Sequence, residues 1–115
     1  MQVEVQFEFA AAHQLPNHPG RCARMHGHNY KLVVAVGGVP DARTGFIVDF
    51  YDVETAVRDA VISQVDHTCL NDYLENPTAE RIALWMWPRL KERLAGLVEL
   101  RLYETRDCCV VYRGE

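Results

Sequence analysis

The sequence predicts an α+β domain of order ββααββ, an antiparallel sheet with two helices on one face. Three observations carry that prediction. Residues 2–9 alternate polar and apolar without a break, the mark of a half-buried strand. The same period-two pattern returns over 28–37, 97–104 and 108–113. Between these blocks, apolar residues recur at helical spacing from about residue 50 to 65 and from 78 to 94.

Taken in order, the first strand reads Gln2-Val3-Glu4-Val5-Gln6-Phe7-Glu8-Phe9. Residues 14–25 hold Pro16, Asn17, Pro19 and Gly20 and predict a loop. In the second strand Tyr30, Leu32, Val34 and Val36 share a face, and His26 and His28 fall in phase with them. The two strands pair as a hairpin whose long loop is of the functional kind. The run 37–41, Gly-Gly-Val-Pro-Asp, breaks the pattern, and Phe46, Ile47 and Val48 extend or flank the sheet. Asp49 or Asp52 caps a helix to about residue 65, with Val53, Ala56, Val57, Ala60 and Val61 as its stripe. Asp66 to Asn76 reads as a polar connection. Thr78 caps a second helix, striped by Ile82, Trp85, Met86 and Leu90, and Pro88 predicts a kink inside it. Gly96 ends that helix, and a last hairpin turns at Thr105-Arg106-Asp107.

The 115 residues predict a single domain, 1–115, and 49% hydrophobic content supplies a core. A net charge of −4 argues against nucleic acid and against a polybasic membrane surface. No apolar run reaches the roughly 18 residues of a membrane span. The chain opens directly on a patterned strand, so no signal peptide is expected. Of the four cysteines, Cys108 and Cys109 are adjacent and make a poor disulfide framework, which favours a reducing, cytoplasmic setting. Two helices cover only one sheet face, so the other face and the edges predict a homo-oligomer with strands paired between subunits.

The chemistry concentrates in Cys22-Ala23-Arg24-Met25-His26-Gly27-His28. Residues two apart on a strand point to one side, so His26 and His28 aim two imidazoles at one point. Pairing with the first strand brings His13 to the same place. Three histidines with an open fourth position is a catalytic zinc arrangement, although nickel or iron also suit imidazole. A lone histidine is more often a core or surface residue; three from adjacent strands favour a metal. Cys22, near that metal and between Arg21 and Arg24, is a candidate base or nucleophile. It could instead be a buried structural cysteine, or a fourth ligand closing a structural site. Asp66-His67 is a candidate proton shuttle, with a polar helix end as the plainer alternative. Glu104, in phase with Val98, Leu100 and Leu102, faces the buried side and needs a partner: a bidentate guanidinium-like group, or Arg101 or Arg106.

In combination these residues resemble the 6-pyruvoyl-tetrahydropterin synthase / 6-carboxy-tetrahydropterin synthase family. The matching pieces run through the chain in order: Phe9 to Leu15, Cys22-x-x-x-His26-Gly27-His28-Asn29-Tyr30, Gly45 to Phe50, Asp66-His67 with Leu70-Asn71-Asp72, Asn76 to Glu80, Tyr103-Glu104-Thr105 and Val111 to Glu115. The resemblance implies a tunnelling fold, with trimeric barrels stacked as a hexamer and active sites shared between subunits. It implies Zn2+ on His13, His26 and His28, and Cys22, Asp66 and His67 as the proton-transfer group. Glu104 would anchor a pterin ring, assisted by Thr78, Ala79, Glu80 and Thr105. The implied reaction converts 7,8-dihydroneopterin triphosphate, a small-molecule substrate, to 6-carboxy-5,6,7,8-tetrahydropterin, acetaldehyde and triphosphate in queuosine biosynthesis. The three-residue gap after Cys22 fits this carboxy branch, and the short chain tips the choice toward it. The alternatives are a 6-pyruvoyl synthase, an aldolase-like paralogue, and a non-catalytic zinc-stabilised pterin-binding module. Arg21, Arg24, Lys31 and Arg113 are candidates for the triphosphate.

Overall fold

In the computed structural model, which describes residues 1–115, the first two strands set the frame. β1 (Gln2–His13) and β2 (His26–Gly37) are antiparallel over their full length, from Gln2 opposite Gly37 to His13 opposite His26. Phe7, Phe9 and Ala11 on β1 and Tyr30, Leu32, Val34 and Val36 on β2 are all buried on one face. Phe9 and Tyr30, directly opposite each other, stack with ring centroids 4.9 Å apart. The outward residues Gln2, Glu4, Gln6 and Glu8 are exposed. The predicted alternation therefore sorts the chain as expected, and both strands run further toward the loop than the pattern alone reached.

The rest of the sheet is β3 (Thr68–Cys69), β4 (Leu97–Thr105) and β5 (Cys108–Tyr112), in the order β3-β1-β2-β4-β5. β3 corrects the reading of 66–76 as a plain connection. It lies parallel to β1, with Ala11 opposite Thr68 and Ala12 opposite Cys69. Two residues are too few to show any alternation. A second correction concerns β4. A bulge against β2 pairs Ala35 with Glu99 and Val36 with Leu97, leaving Val98 as the extra residue. Leu97 is therefore buried while Val98 is 39% exposed, and only Leu100 and Leu102 keep the expected inward phase. Gly96 permits that corner: a Cβ there would sit 2.9 Å from the Gly37 carbonyl.

Two helical segments cover the inward face. The first starts at Phe50–Val57, passes through a π turn at Arg58–Ile62 and closes at Ser63–Val65. Its cap is Asp49, whose carboxylate accepts the Tyr51 N–H at 2.8 Å. The wider π turn brings three successive apolar residues, Ala60, Val61 and Ile62, inward, more than an α stripe allows. Phe46–Val48 forms no strand; Ile47 and Val48 instead flank the core. The second helix, Ala79–Arg93, buries Ile82, Met86 and Leu90, while Trp85 stays half-exposed under Arg89. Pro88 is exposed and lies within the assigned helix. Leu84, whose carbonyl loses its helical partner to that proline, is also exposed. No helix is long and apolar enough to cross a membrane.

The face away from the helices is open. The molecule measures 54 × 23 × 23 Å with a radius of gyration of 15.1 Å. A compact chain of this length is expected near 13 Å, so the long hairpin reaches beyond its own core. On this face Glu99 is buried between Arg101 and Arg113, at 2.9 Å from each Nε. The hydrogen bond from Arg101 is the main cause holding its carboxyl below the ordinary value of 4.5, with Arg113 adding to it.

A depressed folded-state value means this contribution is present above the unfolded value and is lost as pH falls through the folded one. Glu99→Gln is therefore expected to lower the denaturant midpoint by a constant amount above about pH 6. The difference from the parent is expected to shrink on acidification below about pH 4.5. Paired urea titrations from pH 3 to 8 check it; a difference that grows toward acid would contradict the clamp.

Candidate active site

The end of the β1–β2 hairpin gathers three histidines. His13 is fully buried and stands opposite His26, while His28 stands opposite Ala11 on the same face. One ring nitrogen from each lies within 4.8 Å of the other two. The tautomers follow from the partners. His13 Nδ1 is 2.9 Å from the Pro77 carbonyl and His26 Nδ1 is 2.7 Å from the Arg24 carbonyl. A carbonyl only accepts, so both Nδ1 atoms carry a proton, and each ring turns its Nε2 toward the cluster. Those two Nε2 atoms are 3.1 Å apart. That separation suits either a proton shared by the two nitrogens or a metal ion bound by both.

His28 adds to this. Its Nε2 is buried without a hydrogen-bond partner. Glu104 Oε1 approaches it at 3.2 Å but is not aligned for a hydrogen bond. Burial is the main cause holding His28 below its ordinary value, against the opposing pull of Glu104. A neutral imidazole is the form that ligates a metal. The residues fit a divalent metal of the zinc type: three imidazole nitrogens, two of them oriented by backbone carbonyls behind them.

Cys22 is a free, half-buried thiol on the short turn Arg21–Ala23. Its sulfur lies outside the histidine cluster. Cys22 is therefore not grouped with the three histidines as a fourth ligand. Asp66 and His67 do come together, with Oδ1 2.9 Å from Nδ1. The same Oδ1 accepts the Ala10 N–H at 3.0 Å, the first cause of the lowered Asp66 carboxyl. His67 is in the left-handed region at φ 61, unusual for a side chain of this size. Its N–H donates to the Ala10 carbonyl at 2.6 Å, which holds the turn. No sequence signal foretold this conformation. Asp66 and His67 line an open cavity beside Glu8, Ala10 and Asn29.

Glu104 points to the helix-covered face, as its phase with Leu100 and Leu102 predicts. Neither arginine takes it: Arg101 pairs with Glu99, and Arg106 lies 3.9 Å from Asp107. Glu104 shares a pocket of about 210 Å3 with Ala79 and Glu80, walled by Cys108, Cys109 and Val110. Of the other expected ring contacts, Thr78 spends its hydroxyl accepting the Arg81 N–H at 3.2 Å as the helix cap. Thr105 lines a separate pocket with Asn29, Lys31 and Tyr103. Sequence reasoning missed the Pro77 and Arg24 carbonyls, which no side-chain pattern reports.

The family model described as 6-pyruvoyl tetrahydropterin synthase matches residues 2–115. The chain belongs to that family. It is 38% identical to the 6-carboxy-5,6,7,8-tetrahydropterin synthase of Synechocystis, over 90% of this chain and 84% of the relative. It is 32% identical to the human 6-pyruvoyl tetrahydrobiopterin synthase, over 99% of this chain and 92% of the relative. The solved 6-pyruvoyl tetrahydropterin synthase of Caenorhabditis elegans superposes with a TM-score of 0.92 over all of this chain and 96% of that one. At 24% identity that likeness establishes the fold, the tunnelling fold.

Two outcomes follow from the geometry. The protein is expected to bind one zinc or cobalt ion per chain, and His28→Ala to lose it. Metal analysis and thermal shift check this; at a hundredfold excess over Kd, binding adds about 2.7 kcal/mol to the parent's stability. Thr78→Ala is expected to cost about 1 kcal/mol of stability, as loss of a helix cap does. Denaturant titration reads that cost.

Proposed function

We propose that this chain is a zinc-dependent 6-carboxy-5,6,7,8-tetrahydropterin synthase. It would convert 7,8-dihydroneopterin triphosphate to the carboxy-pterin with release of acetaldehyde and triphosphate, a step of queuosine biosynthesis in the cytoplasm. The observation that carries this reading is the convergence of His13, His26 and His28 beside Glu104. The identity to the Synechocystis enzyme supports the carboxy product.

His13, His26 and His28 hold the zinc, which when bound polarises oxygens of the substrate side chain as a Lewis acid. Cys22 removes a proton as general base. Asp66 orients His67 through Nδ1 and leaves Nε2 to give or take a proton on the other side of the substrate. Glu104 accepts two parallel hydrogen bonds, from the 2-amino group and the neighbouring ring N–H, and fixes the ring. Ala79 and Glu80 line the same pocket, and Thr78 and Thr105 flank it in sequence.

The single domain of residues 1–115 works as a homo-oligomer, a dimer of trimeric barrels. Its open sheet face and free strand edges support that assembly. The family resemblance, in which active sites are shared between subunits, supports Asp66-His67 serving a neighbour's Cys22 in this assembly. A second reading, a 6-pyruvoyl synthase, is favoured by the identity to the human enzyme.

Incubation of the zinc-loaded protein with 7,8-dihydroneopterin triphosphate is expected to yield carboxy-pterin and acetaldehyde. A pyruvoyl product without acetaldehyde would establish the second reading instead. Cys22→Ala is expected to keep its zinc and lose about a hundredfold or more in kcat. Glu104→Ala is expected to raise KM by about tenfold or more, the loss of a charge-assisted pair. A zinc-free Cys22→Ala protein that still turns over would defeat the proton-transfer assignment.

A further inference from the structure

The side chain of Asn71 continues the sheet where its backbone pairing stops. The β1–β3 ladder ends with Ala12 opposite Cys69. Gln14 lies two residues beyond it, yet both its backbone polar groups are bound. Its N–H donates to Asn71 Oδ1 at 2.9 Å, and its carbonyl accepts from Asn71 Nδ2 at 3.0 Å. Only a carboxamide offers a donor and an acceptor side by side in this way. A reversed amide would set donor against donor and acceptor against acceptor, so the orientation is fixed. Cys69 Sγ lies 3.7 Å from Oδ1 as a second, weak donor.

The clamp has a firm base and a consequential load. Asn71 sits on the 3-10 turn Leu70–Asp72, and Leu70 is fully buried beneath it. Gln14 directly follows the ligand candidate His13. The next residue, Leu15, donates its N–H to the Cys22 carbonyl at 2.9 Å. One side chain, 57 positions away from Gln14, thus ties down the end of β1 and the base of the loop that carries Cys22.

We propose that Asn71 is a positioning residue: its carboxamide extends the β1 ladder by one residue and sets the Cys22 loop against the histidine cluster. The catalytic consequence rests on the function proposed above; the clamp itself does not. A side chain that merely fills space at this position would tolerate Asp, which has the same shape. Asp keeps an acceptor for the Gln14 N–H but turns a second oxygen toward the Gln14 carbonyl.

Hydrogen exchange on the intact parent protein tests the clamp without any variant. The Gln14 and Leu15 amides are expected to exchange at least about tenfold more slowly than the exposed loop amide of Asn17. Equal rates overturn the proposal. In Asn71→Asp that protection is expected to fall by about tenfold or more, and alkylation of Cys22 by iodoacetamide, read peptide by peptide, to change with it. Bound zinc is expected to remain at one per chain, while kcat drops about tenfold with KM unchanged. A folded Asn71→Asp protein with parental exchange and parental Cys22 alkylation overturns the proposal. If Asn71→Asp does not fold, the parent's exchange rates decide. Loss of protection in a pair of proteins of which neither turns over the pterin would uphold the clamp and count against the proposed function.

Discussion

Everything at the functional end depends on the register between β1 and β2. The pairing of Phe9 with Tyr30 and of Phe7 with Leu32 buries large side chains under the helices, and the same ladder continues four pairs further to His13 and His26. A slip of one residue would turn Phe7 and Phe9 to water and send His13 to the other face. The core therefore enforces the geometry of the histidine cluster. No separate device is needed to bring two imidazoles from opposite ends of a twelve-residue loop to 3.1 Å.

The candidate groups attach to the sheet at different places, although His28 and His67 line one cavity. The helix-covered side holds the histidines and Glu104. Asp66-His67 is attached to the opposite edge of β1, through the Ala10 N–H and carbonyl, and lines a cavity with Glu8 and Asn29. On the outward side Glu99 sits between two arginines, and the polar residues of β1 lie bare. A long hairpin with one dressed face suits a sheet that is to be continued by other copies. Sharing of a proton-transfer pair between copies is the economical use of that architecture within the proposed function.

What the sequence revealed and what it hid have a common cause. Side-chain periodicity reports which way a residue points, so β1, β2, the helix stripes, the Thr78 cap and the convergence of His13, His26 and His28 were readable. It says nothing of main-chain groups recruited from afar. The Pro77 and Arg24 carbonyls that fix two tautomers, the Ala10 groups that hold Asp66 and His67, and the two-residue β3 all belong to that class. Val98 misled because a bulge changes phase without changing composition. The Cys22 gap could not choose between carboxy and pyruvoyl chemistry, and the chain is similar to relatives of both names.

Glu104 is the hinge of the functional argument. Its carboxylate is 3.2 Å from His28 Nε2 on one side and walls the pocket of Ala79 and Glu80 on the other. That position is free of arginine, since Arg101 pairs with Glu99 and Arg106 lies by Asp107. It also fixes the order of the parts. Within the proposed function, a ring held by that carboxylate in the pocket of about 210 Å3 would turn its substituent toward the adjacent histidine cluster. Chemistry on the side chain of a bound ring, rather than on the ring itself, is what this spacing serves, because the anchor and the metal ligands act on different atoms of one molecule.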